Sequence, residues 1–540
     1  MNCYLFEVKS IQSYLFQSGR LIDIIAASER LDRLVDTSEQ SVLFMALEAT
    51  GLSHDLITEN DHAQIHFLRS KGGAFYAYAD NQDVLRQLRS SWTLLLTQLF
   101  PSLQYADALA SGDTLPRALD EGFKSLRAAA NHPPAPGRYA TAVLAKFPRT
   151  GRAAQKASLT SKQAGTADQV RNVAAVDADI EMHRQAYERW TLRSHSELQK
   201  KFSPEHGAGA IRPFWLNLDE DTSSKDIAFI HADGNGLGLY LRQLKEALKD
   251  ASPKQYQSVF LKFSNALAKA TQDAAKVATQ MLVDSVADND QPIPMRPILL
   301  GGDDVTVLCD ARYAIDYAKI FCENFERLSG EYLTVLQHEL SANIQPNLSA
   351  SAGIVFHKVG HPFIQVHQFG EQLTGAAKDF SREKSTINFC RLSQAVSDSY
   401  QSFLQRARTY VIDSQGHRVT TSQDGYFTLG DQAQSISALQ QVINLAKGNK
   451  AIVSLNRWRQ MYEAISLKNW DEAERIFKRG IDNAESTGKN SEKALFEKIQ
   501  HCREVRDGET FHRWYWQDEQ GNRVTFISDL LTLAHFSKQG

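Results

Sequence analysis

Residues 299–307 read LLGGDDVTV: an apolar run, two glycines, two adjacent aspartates and the start of a second apolar run. The pattern predicts a β-hairpin in which RPILL and VTVLC are joined through Gly301 and Gly302, because glycine tolerates positive φ and close backbone approach. Asp303 and Asp304 then fall at or just past the turn. Neighbouring carboxylates on a strand point to opposite faces, so they share an ion only where the turn bends the backbone. By itself the tetrapeptide reads more simply as a solvated turn.

A second stretch changes that reading. In HADGNGLG, residues 231–238, an apolar strand ends at Asp233 and a helix opens through Gly234, Gly236 and Gly238. Such a junction presents main-chain amides at a helix N-terminus, where the dipole favours phosphate oxygens. If this strand pairs beside the hairpin, Asp233 converges with Asp303 and Asp304 on one edge. Grouped hard oxygen ligands beside a phosphate cradle suit Mg²⁺ or Mn²⁺, and two such ions serve nucleotidyl transfer.

The elements around the hairpin occur twice in the same order. The second copy runs strand 226–233, helices 237–250 and 254–286, the hairpin, helix 312–340, strand 348–356, helix 362–379 and strand 385–390. In the first copy, strand CYLFEV (3–8) precedes apolar residues at helical spacing from Ile11 to Leu34. IHFLRS and AFYAYA then join at Lys71-Gly72-Gly73, and a helix from about Asp83 to Phe100 leads to a strand near LQYADAL. The expected fold is α+β with two ferredoxin-like units. The expected divisions are 1–140, a basic linker and helical region over 141–222, 223–395, and a helical domain over 396–540.

Composition bounds the function. With 540 residues, 42% hydrophobic and 23% charged, the chain can bury several cores, and a net charge of −3 gives no global field for nucleic acid. A local exception is 133–173, where Arg138, Lys146, Arg149, Arg152, Lys156, Lys162 and Arg171 stand among small residues; it reads as a mobile linker or exposed loop, or else as a nucleic-acid or partner contact. The five cysteines form no CxxC pair, which argues against a zinc site or disulfide framework. No signal peptide or membrane span is evident, so a cytoplasmic protein with no membrane contact is expected.

Together these segments resemble the palm domains of GGDEF-type nucleotide cyclases and, more closely, the polymerase-like large subunit of type III CRISPR effector complexes. The likeness extends to FEVKSIQSYLF and SGRLIDIIAASERLDRL (18–34) in the first copy. In the second it covers LSASAGIVFHK (348–358), HPFIQVHQFGEQLTGAAK (361–378) and KSTINF (384–389). The resemblance implies that Asp233, Asp303 and Asp304 ligate metal with help from the Gly234 main chain, and that Gly236, Gly238, Gly301 and Gly302 belong to the nucleotide cradle. Lys378 would reach the triphosphate, although a cation at a helix C-terminus is the other reading. Lys384 is a weaker phosphate candidate, more simply a solvated lysine. Ser349 or Ser351 would contact the base, or simply pack in the sheet.

The implied activity is synthesis of 3′–5′ oligoadenylate, or of a cyclic dinucleotide, from ATP in antiviral defence. RNA and CRISPR-type protein subunits are the implied partners, with the C-terminal helical domain as contact. The alternative is a non-catalytic nucleotide-binding scaffold. A diguanylate cyclase fits less well, because Val305 follows Asp304 where glutamate and phenylalanine are usual. In the first copy the hairpin reads Gly72-Gly73-Ala74-Phe75 and only Glu7 matches an acid, so a non-catalytic palm is expected, with Arg69 and Lys71 available to a second nucleotide. Three departures stand out: the chain starts at the first palm and its one His-Asp pair, His54-Asp55, falls in a loop, so no HD nuclease activity is expected; no cysteines lie between the palms; and Asn235 replaces a frequent second aspartate.

Overall fold

The computed structural model describes residues 1–132, 144–156, 175–192, 196–204, 212–215, 226–286, 291–340, 347–393, 400–429, 433–447, 451–486 and 492–537. The first sheet contains β1 (Asn2–Lys9), β2 (His66–Lys71), β3 (Ala74–Ala79) and β4 (Gln104–Ser111), in the order β2-β3-β1-β4 and antiparallel throughout. Its helices are α1 (Leu21–Asp32), α2 (Gln82–Leu99) and α3 (Leu115–Ala130). The second sheet contains β5 (Asp226–Gly234), β6 (Met295–Gly301), β7 (Asp304–Asp310), β8 (Ala350–Lys358) and β9 (Thr386–Arg391), with helices α4 (Leu237–Ala247), α5 (Pro253–Ser285), α6 (Ala314–Leu340) and α7 (Phe363–Phe380). Its order β6-β7-β5-β8 repeats that of the first sheet, and β9 extends it in parallel to β8. The fold is therefore α+β and internally repeated. Pro297 is accommodated because β6 is an edge strand whose register shifts between Pro297 and Leu299.

Alternation along the central strands explains how the two units become one body. Tyr4 and Phe6 of β1 join one hydrophobic core together with Ile227 and Phe229 of β5. Cys3 and Leu5 join the other, with Ala228, Ile230 and Ala232. Each core thus draws on both sheets, one on either face. The contact between units is also reciprocal: α5 packs on β2, while α1 packs on β6. Polar bonds fix it, with Gln257 Nε2 donating to Asp55 Oδ2 at 2.7 Å and to the Phe67 carbonyl at 3.1 Å, and Lys71 Nζ to Asn265 Oδ1 at 2.8 Å.

Several expectations need correction. The helix expected through 11–34 is broken into Ile11–Leu15 and α1, because Gly19 takes φ 66 between them. Helices Val42–Thr50 and α3 are additional to the expected elements. The C-terminal region is helical but also holds a five-stranded sheet built from Thr409–Val411, Arg418–Thr420, Arg523–Val524, Tyr515–Asp518 and Glu509–His512. Strands of two to four residues are too short for a period of two to register. Tyr426–Phe427 pairs with β9, crossing the boundary expected at 395. Of the basic stretch, 133–143 and 157–174 lie outside the described residues; Arg149 Nη1 donates to the Ser18 carbonyl at 3.1 Å and Arg152 bonds Gln17, so this part docks on the first unit. Among the described residues no helix is long and apolar enough to cross a membrane.

Candidate metal and nucleotide site

Register brings the acids together. Ala232 of β5 pairs with Val305 of β7, so the next positions outward are Asp233 and Asp304. Gly301 pairs with Asp304, leaving Gly302 and Asp303 as a two-residue turn with Gly302 at φ 63. One carboxylate oxygen from each of Asp233, Asp303 and Asp304 lies within 4.8 Å of the others. Gly234 permits the approach: a Cβ there would stand 2.8 Å from both Cβ and Oδ2 of Asp303.

The remaining candidates fall into separate roles. Gly236 caps α4 with φ 83, and the first turn is open at Gly238. Asn235 is buried and braces this strand-to-helix turn: its main-chain N–H donates to the Ser349 carbonyl at 2.7 Å, and its Nδ2 to Ser349 Oγ and Ser351 Oγ, each at 3.0 Å. Both serines are buried beneath the turn, and Ser351 Oγ also meets Thr386 Oγ1 at 2.9 Å. Lys378, from α7, bonds the Asp233 carboxylate and donates to the Gly234 carbonyl at 3.2 Å. Lys384 is exposed, its ammonium 5.4 Å from the Phe427 ring centre.

The electrostatics invite a cation. Burial, reinforced by the Asp233 charge, pushes the Asp303 carboxyl up to about 6. Burial and the charges of Asp233 and Asp303 hold Asp304 well above the ordinary carboxylate range. Lys378 opposes both shifts, yet one ammonium does not balance three acids. An all-oxygen set of three carboxylates and a main-chain carbonyl fits a hard divalent ion such as Mg²⁺ or Mn²⁺.

Two cavities meet at the turn. One, of about 340 Å³, lies between α4 and α5, reaches Gly302 and Asp303, and is closed by Arg69, Lys71 and Tyr76 of the first unit. The other, of about 420 Å³, lies between the Ile11–Leu15 helix and α1, and is closed by Gly301, Gly302 and Asp304 of the second. Lys71 and Ala268 border both. Sequence reading had singled out Arg69 and Lys71 but missed Arg242 and Lys245 of α4, whose three-residue spacing just after the glycine junction was the available signal. It also missed Asp32, Asp36 and Lys201, which come from distant segments.

In the first unit, Lys71 pairs with Ala74, so Lys71 and not Gly72 takes the place of Gly301. The one-residue shift puts Gly73 where Asp303 stands and Ala74 where Asp304 stands. Glu7, paired with Ala74, matches Asp233. Its carboxylate is held by Lys9 Nζ and Tyr76 Oη, both at 2.6 Å; burial raises its pKa, but these hydrogen bonds leave it below the ordinary range.

Comparison with known proteins agrees with this fold. Residues 226–387 match the model of the Cas10/Cmr2 second palm domain. The second unit is similar to that palm domain. Its fold is similar to a Csm1–Csm4 cassette in complex with pppApA (TM-score 0.54, 12% identity, 100% of this chain and 69% of that one). It is similar also to such a cassette with cA3 (TM-score 0.52, 12% identity, 100% and 70%) and to Csm1 in T. onnurineus (TM-score 0.51, 12% identity, 99% and 70%). The chain spans from about half to 70% of the length of the solved chains it resembles. No curated protein matches it.

Proposed function

We propose that this chain is a metal-dependent nucleotidyltransferase that joins ATP molecules into 3′–5′-linked oligoadenylates or a cyclic dinucleotide. The observation that carries the reading is the placement of three converging carboxylates at the junction of two cavities, both of them bordered by residues of the two palms and of the two hairpins. One cavity would hold the nucleotide that offers its 3′-hydroxyl, the other the nucleotide attacked at its α-phosphate with pyrophosphate leaving. Arg242, Lys245 and the start of α4 face phosphate on one side; Lys71 borders both cavities and would orient the two triphosphates relative to each other. Asp233, Asp303, Asp304 and the Gly234 carbonyl would hold Mg²⁺ or Mn²⁺, which would supply charge stabilisation at the reacting phosphate and activation of the hydroxyl. Lys378, on leaving Asp233, is within reach of the same phosphates. The likeness to Csm1–Csm4 cassettes supports a CRISPR-type protein subunit as partner and a role in antiviral defence, with RNA as a further candidate ligand.

The test is incubation of the purified chain with each labelled nucleoside triphosphate and Mg²⁺ or Mn²⁺, beside an Asp303→Ala/Asp304→Ala variant, with products resolved by mass. Oligonucleotide made by the first protein and not by the variant supports the reading and names the base. Absence of product in the presence of RNA and cell extract, with nucleotide still bound, favours the scaffold.

A further inference from the structure

Resting on that reading, we propose that Thr271 of α5 is a positioning residue for the turn that carries Asp303 and Asp304. Thr271 is fully buried, and its Oγ1 donates to the Gly302 carbonyl at 2.7 Å. The same hydroxyl lies 3.0 Å from the Leu267 carbonyl one helical turn back, which fixes its rotamer toward the hairpin. Asp303 packs against Gly234, but the glycine side of the turn is open: a Cβ built on Gly301 or Gly302 would meet nothing within 4 Å, and both glycines border a cavity. A hairpin end with open space at Gly301 and Gly302 has backbone freedom on that side. The threonine hydroxyl removes that freedom at the residue immediately before Asp303.

The attachment point matters because of what else α5 holds. Fewer than two helical turns before Thr271, Asn265 accepts from Lys71 of the first palm, and about four turns before it Gln257 is bonded to Asp55 and to the Phe67 carbonyl. The helix therefore ties the acidic turn of one palm to the hairpin of the other, and Thr271 is the link on the acidic side. Through it, the geometry of the carboxylates is referred to the wall shared by both cavities.

The experiment measures Mn²⁺ binding to the nucleotide-free protein by calorimetry or electron paramagnetic resonance, with ATP turnover recorded in parallel. Thr271→Val removes the hydroxyl at nearly constant shape, and Thr271→Ser restores it. Thr271→Ala repeats the deletion if the valine variant does not fold. Loss of one such hydrogen bond should weaken Mn²⁺ binding about fivefold. The valine variant should lower kcat about tenfold while leaving KM for ATP within about twofold, since the nucleotide walls are untouched. Serine should recover most of both losses. Mn²⁺ affinity equal to wild type in the valine and alanine variants, or no recovery by serine, overturns the assignment. The metal readout needs no product: a wild-type chain that binds Mn²⁺ without turnover sinks the proposed activity but still tests Thr271, whereas one that binds no Mn²⁺ sinks both.

Discussion

Gly234→Ala is the sharpest probe of the acidic cluster, because it adds one methyl group beside Asp303 and changes nothing else. The backbone at Gly234 is not in the positive-φ region, so alanine adopts it without strain. The new Cβ, however, would lie 2.8 Å from Asp303 Cβ and from Asp303 Oδ2. Carbon atoms rest at about 3.5–4.0 Å, so the two must separate by roughly 0.7 Å or more. Asp303 Cβ is one bond from a backbone held by the hairpin, and Gly234 ends the central strand β5 paired to β8, so neither side yields freely. The displacement falls on the carboxylate that must converge with Asp233 and Asp304. A misplacement of this order costs about 10²-fold in a positioned reaction. We expect oligonucleotide synthesis to fall by about that factor, Mn²⁺ affinity to drop at least tenfold, and overpacking to cost about 1–3 kcal/mol of stability. Gly238→Ala is the control, since a Cβ there meets nothing within 4 Å, and it should leave Mn²⁺ affinity unchanged. Calorimetric Mn²⁺ titration of both variants decides the matter. A Gly234→Ala protein that binds Mn²⁺ like wild type would refute the claim that these three carboxylates form one site.

Other outcomes follow from the same geometry. Asp304→Asn removes a carboxyl whose charged form is disfavoured by burial and by the charges of Asp233 and Asp303, so it should raise the thermal unfolding midpoint in metal-free buffer and abolish the rise that Mn²⁺ gives wild type. Lys71→Met should weaken ATP binding about tenfold with kcat reduced as well, because this lysine borders both cavities; fluorescence titration with a labelled ATP analogue reads the first effect. Glu29 of α1 is buried, and burial, with the charge of Asp32 adding to it, lifts its carboxyl from 4.5 to about 7, against the pull of nearby Ser196 and arginines. A carboxyl whose folded pKa is raised stabilises the fold fully below the unfolded value and loses that contribution as pH rises toward 7. Glu29→Gln should therefore match wild type near pH 4.5 and exceed it above pH 7 by up to about 3 kcal/mol, as read by denaturant unfolding at the two pH values.

The second palm was legible because its signals are local. A glycine pair at a hairpin, an apolar strand ending in aspartate, and a glycine-opened helix each leave a mark within a few residues. The observed strands and helices there lie within a few residues of those expected, and two short stretches sufficed to bring Asp233, Asp303 and Asp304 to one place. What sequence reading missed depends on register and on distant segments. The Lys71–Ala74 pairing, which moves the degenerate hairpin by one residue, is invisible in GGAF, because two glycines before an apolar strand permit either frame. The burial of Ser349 and Ser351 beneath Asn235 depends on β8 being interior to a sheet that β9 extends. The second cavity owes its polar wall to Asp32, Asp36 and Lys201, a combination fixed only when the linker helix Glu197–Phe202 packs beside α1. Its contact with Asp32, an ion pair at 2.5 Å, has no signature in spacing.

The asymmetry between the palms follows from three matched positions and gives the assembly a direction. Both sheets have the same strand order, and both hairpins border both cavities, so a symmetric molecule would present two equivalent acidic centres. In the first palm the turn is Gly72-Gly73 with φ 61 and 71, a backbone that disfavours aspartate at the second position. In the turn of the second palm Gly302 has positive φ and Asp303 does not, which leaves Asp303 an ordinary conformation. Ala74 then removes the other carboxylate, and Glu7 is neutralised within its own palm by Lys9 and Tyr76. One acidic centre thus stands between two nucleotide-sized cavities that it does not touch alike: Asp303 borders one and Asp304 the other. On the proposed function, that inequality is what distinguishes the nucleotide that attacks from the nucleotide that is attacked, and two intact centres facing each other would have erased it.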